Sequence, residues 1–99
     1  MTPVTPLARL ARLGQSIWYD NIDRTLLDAG GLKELVVKGI RGVTSNPSIF
    51  HQAIVHSEAY DPTIAVQAWR HRSPLKIYEA LALDDIARAA DLLIPVFEE

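Results

Sequence analysis

Ser16-Ile17-Trp18-Tyr19-Asp20 and Ile40-Arg41-Gly42-Val43-Thr44-Ser45 decide the reading of this chain, because the residues between them spell a helix. Each stretch is short, β-branched or aromatic, and polar at its end, the composition of a strand. Between them, residues 23–27 carry Leu26 and Leu27 on an inward face, and the Gly30-Gly31 pair interrupts. Leu32, Leu35 and Val36 then resume helical spacing until Gly39. Strand, helix and strand within about thirty residues is the span of a βαβ unit, whose two strands run parallel.

Outward from this unit, proline marks the helix starts. Asn46-Pro47, Asp61-Pro62 and Ser73-Pro74 each set an N-cap residue before a proline at the first helical position. Thr5-Pro6 is a weaker fourth case, before a Leu7, Leu10, Leu13 stripe that Gly14 stops. Helices are predicted near 47–56, 62–71 and 74–82. A last one begins near Asp84 with Ile86, Ala90 and Leu93 on one stripe, and Pro95 is expected to kink or end it. No third strand and no internal repeat is present. Two parallel strands alone can neither form a covered sheet nor close a barrel. The chain therefore reads as an incomplete α/β fold.

Composition narrows the function. Ninety-nine residues make one small domain, with 48% hydrophobic and 22% charged residues. Ten basic against twelve acidic side chains leave a net charge of −2, which removes the basis for broad nucleic-acid or anionic-membrane binding. With no cysteine there is no disulfide scaffold, cysteine zinc site or thiol nucleophile. The longest apolar runs, 80–83 and 92–97, fall far short of the roughly 20 residues of a membrane span. Residues 1–6 lack a secretory pattern, so a cytoplasmic protein is expected.

Polar residues stand at both strand ends: Tyr19-Asp20-Asn21 and Thr44-Ser45-Asn46. The carboxyl ends of strands carry the chemistry of α/β sheets and barrels. Singly, Asp20 and Asn46 are each explained as the cap of the helix that follows. Together, at matching positions, they point to one shared pocket. The histidines make no metal motif, since His51 and His56 are five apart and His71 is remote. No glycine-rich nucleotide loop is present, and Gly30, Gly31 and Gly42 read as turn and packing glycines. Trp18 and Trp69 are expected in the core or between helices. Arg9, Arg12 and Arg24 are too sparse for a phosphate site, and Arg70-His71-Arg72 suits a helix C-terminus.

The segments 14–22 and 39–50, in particular Trp18-Tyr19-Asp20-Asn21 and Gly42-Val43-Thr44-Ser45-Asn46-Pro47, strongly resemble the start of the transaldolase family, closest to its longer bacterial form. Ser57-Glu58-Ala59-Tyr60-Asp61 and Asp84-Asp85-Ile86-Ala87-Arg88-Ala89-Ala90-Asp91 support the likeness. The resemblance implies that residues 1–99 are the N-terminal part of a single class I aldolase-type (β/α)8 barrel: a helix, two strands with their crossover, then helices. A complete barrel takes about 250 residues. The implied reaction moves a dihydroxyacetone unit from sedoheptulose 7-phosphate to glyceraldehyde 3-phosphate through a lysine Schiff base, in the pentose phosphate pathway. Sugar phosphates are the implied partners, no metal or organic cofactor is implied, and a homodimer is compatible with it.

Carried over by position, the resemblance makes Asp20 the group that handles the C4 hydroxyl proton. It makes Asn46 a ligand of the dihydroxyacetone hydroxyls and Thr44 a lining residue. Ser45, on the opposite face by alternation, is expected to pack or cap. The family's lysine has no match: Lys33, Lys38 and Lys76 lie in helical segments and are expected in solvent. Its third-strand glutamate and phosphate-binding arginines have none either. The chain is thus expected to be inactive alone. The competing readings are a truncated, non-catalytic paralogue serving as an interaction module, and a subunit that completes a barrel with another chain.

Overall fold

A computed structural model describes residues 5–70 and 73–98. Its elements are α1 (Pro6–Arg12), β1 (Trp18–Tyr19), α2 (Arg24–Asp28), α3 (Gly31–Lys38), β2 (Gly42–Val43), α4 (Pro47–His56), α5 (Asp61–Arg70) and α6 (Pro74–Phe97). As the crossover pattern predicts, β1 and β2 are parallel, with Trp18 opposite Gly42 and Tyr19 opposite Val43. The strands are shorter than predicted. The Arg41 N–H to Ile17 carbonyl bond and the Thr44 N–H to Tyr19 carbonyl bond extend the ladder by one step at each end. Asp23 caps α2 by accepting from the Leu26 N–H at 2.8 Å. Gly30, at φ +74°, makes the turn into α3 that few other residues adopt.

Three expectations about helices are corrected. α5 starts at Asp61 itself, and the Ile64 N–H bonds the Tyr60 carbonyl, so the cap position falls on Tyr60. Ser73 precedes α6 in extended backbone, yet its side chain makes no cap bond. Most importantly, the segments predicted as 74–82 and from Asp84 are one helix of 24 residues that runs through Pro95. No glycine or proline interrupts residues 75–94. Pro95 stands in the last turn, where its missing N–H removes a single ladder bond. The face that α6 buries is Leu81, Asp85 and Ala89, while Ile86 and Ala90 are exposed.

That face joins two clusters. Ala89 packs with Ile22, Leu27 and Leu32, and Leu81 packs with Phe50 and Tyr60. Asp85 lies between them and is fully buried, which is tolerable because it is paired. Its Oδ1 accepts from Arg24 Nε at 3.0 Å and its Oδ2 accepts from the Tyr60 hydroxyl at 2.5 Å. The Tyr60 oxygen accepts in turn from the Arg24 backbone N–H at 2.7 Å. Burial, and then the bond to Asp85, push the Tyr60 phenol well above its ordinary pKa.

The tryptophans are a further correction. Trp18 is 58% and Trp69 93% exposed, so neither is a core residue here. No third strand flanks the pair among the described residues, and the radius of gyration is 15.5 Å. A compact domain of this length has about 13 Å. Of the Arg70-His71-Arg72 cluster, Arg70 ends α5, and His71 and Arg72 lie outside the described residues, as does the predicted end of that helix at 71.

Candidate active site

Alternation along the two parallel strands sets one face of the sheet. Trp18 and Asp20 from the first strand share it with Gly42 and Thr44 from the second, because Trp18 stands opposite Gly42. At its carboxyl end Thr44 Oγ1 donates to Asp20 Oδ1 at 2.5 Å. Asn46 Nδ2 approaches Asp20 Oδ2 at 3.4 Å. The three residues singled out from the sequence, Asp20, Thr44 and Asn46, are thus brought together at one corner.

Capping fixes the Asn46 amide. Its Oδ1 accepts from the Ser48 N–H at 3.1 Å and from the Ile49 N–H at 3.2 Å, satisfying the first turn of α4. Those two donors demand the oxygen, so the amide nitrogen is turned toward Asp20. Asn46 is at once a helix cap and a donor to the corner. Asp20 is not a cap, since Asp23 does that work for α2. The carboxylate is left with one oxygen held by Thr44 and one facing an amide donor. A carboxylate so placed at a strand end can accept a proton from a group within hydrogen-bond reach. Ser45, on the opposite strand face by alternation, lines a cavity that Asn46 also borders, together with Ile22, Phe50 and Tyr78.

The remaining candidates stay apart from this corner. Lys33 and Lys38 are exposed on α3, where Lys38 pairs with Glu34 at 3.4 Å, and Lys76 is exposed on α6. His51 and His56 are exposed on α4, and His71 lies outside the described residues. Among the described residues no three metal-ligating side chains cluster, and no helix is long and apolar enough to cross a membrane. Two features escaped the sequence reading. Trp18 shares the face of Asp20, which the two-residue spacing signals. The Arg24–Tyr60–Asp85 cluster anchors the turn after Asp20, and its signal was the four-residue spacing of Leu81, Asp85 and Ala89.

A family model described as transaldolase/fructose-6-phosphate aldolase matches residues 17–99. A transaldolase of Trichodesmium erythraeum is 45% identical over 94 residues, which is 94% of this chain and 25% of that protein. A transaldolase of Thiobacillus denitrificans is 44% identical over 90 residues, 90% of this chain and 25% of its own length. A protein of Nostoc sp. named transaldolase 2 is 43% identical over 96 residues, covering 96% of this chain and again 25% of the relative. The chain spans about a quarter of the length of these relatives.

Proposed function

The chain belongs to the transaldolase/fructose-6-phosphate aldolase family, and on that premise we propose that its Asp20 corner is one part of a transaldolase active site. The reaction is transfer of a dihydroxyacetone unit from sedoheptulose 7-phosphate to glyceraldehyde 3-phosphate, with these residues forming the first strands of a single (β/α)8 barrel in a cytoplasmic enzyme. The observation that carries the reading is the convergence of Asp20, Thr44 and Asn46 at the carboxyl ends of two parallel strands. Barrel enzymes put their chemistry at that end.

In this reading the donor ketose is bound as an iminium on a lysine other than Lys33, Lys38 and Lys76. Asp20 accepts the C4 hydroxyl proton as the C3–C4 bond breaks, the C4 oxygen becomes the aldehyde carbonyl, and the bonding pair flows to the iminium nitrogen. Thr44 holds one carboxylate oxygen and so aims the other at the substrate. Asn46 donates its amide to a hydroxyl of the three-carbon unit.

A chimera tests this: the 99 residues replace the matching quarter of the Trichodesmium erythraeum transaldolase. Ketose-donor turnover, and a borohydride-trapped adduct on a lysine of the relative's portion, are the expected results. A folded chimera with neither sinks the proposal and favours the interaction-module reading.

A further inference from the structure

We propose that Tyr60 is a positioning residue for Asp20, its hydroxyl set by Asp85 and acting through the backbone of Arg24. This rests on the transaldolase reading and adds to it residues that act only through Asp20. The arc 20–24 is pinned at its near end by the strand ladder, where the Thr44 N–H bonds the Tyr19 carbonyl at 2.9 Å. Its far end is pinned by Tyr60, whose oxygen accepts the Arg24 N–H at 2.7 Å. That N–H opens the first turn of α2, where the helix itself offers no acceptor. Between the pins Asn21 Nδ2 donates to Asp23 Oδ2 at 2.7 Å, and Ile22 is buried in the apolar cluster of Ala89.

Asp85 decides which way the hydroxyl works. A carboxylate can only accept, so Tyr60 gives its proton to Oδ2 and keeps its lone pairs for the Arg24 N–H. Arg24 Nε returns to Oδ1 at 3.0 Å and closes the ring, in which Arg24 takes part with both backbone and side chain. Arg24, Tyr60 and Asp85 are all buried, and the guanidinium carbon lies 4.6 Å from the centre of the Tyr60 ring. Every partner falls within residues 24–85, so the ring is complete in this chain. Its effect on the corner follows from the freedom of a carboxylate. Thr44 holds one Asp20 oxygen, but a side chain with two rotatable bonds can keep that contact while its backbone shifts and the other oxygen turns away. Pinning the backbone on both sides removes that freedom. A misplacement of about 1 Å can cost about a hundredfold in rate. Asn46 is held separately, by the first turn of α4.

The chimera described above supplies the test. Tyr60→Phe keeps the ring and its edge-to-face packing on Phe50. It is expected to lower kcat roughly tenfold to a hundredfold while KM changes little. In the Asp20→Ala background the same substitution should cost nothing further in kcat, whereas a purely structural loss would be felt equally in both backgrounds. Tyr60→Phe/Arg24→Met/Asp85→Leu strips the ring of its polar side chains while filling their space. It takes the place of the single variant if that one fails to fold, and the same low kcat is expected. Full kcat in either folded variant, or an equal loss with and without Asp20, overturns the proposal. A second measurement stands apart from turnover. In the 99-residue chain the Asn46 side-chain amide, 3.4 Å from Asp20 Oδ2, reports where the carboxylate stands. Its proton resonance should move in Tyr60→Phe toward its position in Asp20→Ala. Should the wild-type chimera lack turnover, the transaldolase reading fails and this resonance decides: movement upholds the positioning of Asp20 by Tyr60, and an unmoved resonance overturns it.

Discussion

Arg24 and Asp85, 61 positions apart in the sequence, meet at 3.0 Å with Asp85 fully buried and Arg24 7% exposed. The second Asp85 oxygen is taken by Tyr60, and the guanidinium also donates to Thr63 Oγ1 at 2.7 Å. The 20–24 turn, which begins at Asp20, is thereby tied to α5 and α6.

Removing one member of this pair should cost more than removing both. Asp85→Ala leaves the buried guanidinium with only the exposed Asp84 carboxylate, 3.9 Å away, a loss of up to about 3–5 kcal/mol. Arg24→Met combined with Asp85→Leu should recover most of it. Urea unfolding of the chain and the variants measures both, and a double variant as unstable as Asp85→Ala would show that the orphaned charge is not the cause.

Tyr60 should make stability fall in alkali. In the fold, burial and Asp85 keep its phenol protonated, whereas in the unfolded chain it ionises near its ordinary value of about 10. The folded chain then holds a proton that the unfolded chain has released. Its contribution is complete below about pH 10 and declines as pH rises further, by up to about 1.4 kcal/mol per unit. Tyr60→Phe should lack this part of the decline, and identical slopes in the two proteins would refute the assignment.

Asp20→Ala in the chimera should lower kcat by about 10²–10⁴-fold with little change in KM, since the proton it takes moves only during bond cleavage. Because Asp23 caps α2, the melting temperature should hold. Full turnover in the folded variant would remove Asp20 from the chemistry.

Asn46→Asp separates the two jobs of one side chain. Aspartate caps as well as asparagine, so the first turn of α4 should be held equally well. The variant loses the amide donor and sets a second carboxylate about where Nδ2 now lies, 3.4 Å from Asp20, so any loss of stability should come from the repulsion of the two carboxylates and disappear in Asp20→Asn/Asn46→Asp. Activity of the chimera should fall steeply while the fold is kept, and retained kcat/KM would sink the assignment.

The 99-residue chain alone should show no aldol turnover, because Lys33, Lys38 and Lys76 are exposed on helices and none stands at a strand end beside Asp20. Borohydride reduction with a ketose phosphate, followed by peptide mapping, checks this. A specific adduct on any of the three would contradict it.

The parallel pair, the glycine-broken crossover and the bounds of α4 were legible because they are local: caps, prolines and periodicity act over a few residues. The Asp20–Thr44–Asn46 corner was legible because parallel strands bring their ends to one place. α6 was not, since Asp84-Asp85 carries the signature of a helix start, and it takes Arg24, 61 residues away, and Tyr60, 25 residues away, to make Asp85 an interior residue. Trp18 was misplaced for a related reason. Its size argues for burial, but its cover would have to come from a neighbouring strand, and none flanks it among the described residues.

The unbroken run of α6 has a consequence for how the molecule comes apart. At about 1.5 Å per residue its 24 residues form a rod of roughly 36 Å. Leu81 is moored in one cluster and Ala89 in the other, and among the described residues each cluster has only three or four buried side chains. Neither is large enough to melt as a unit of its own. A stiff rod transmits the loss of one mooring to the other, so the two halves loosen in step. Cooperativity in this small chain resides in residues 82–84, the stretch whose sequence looks most like a break.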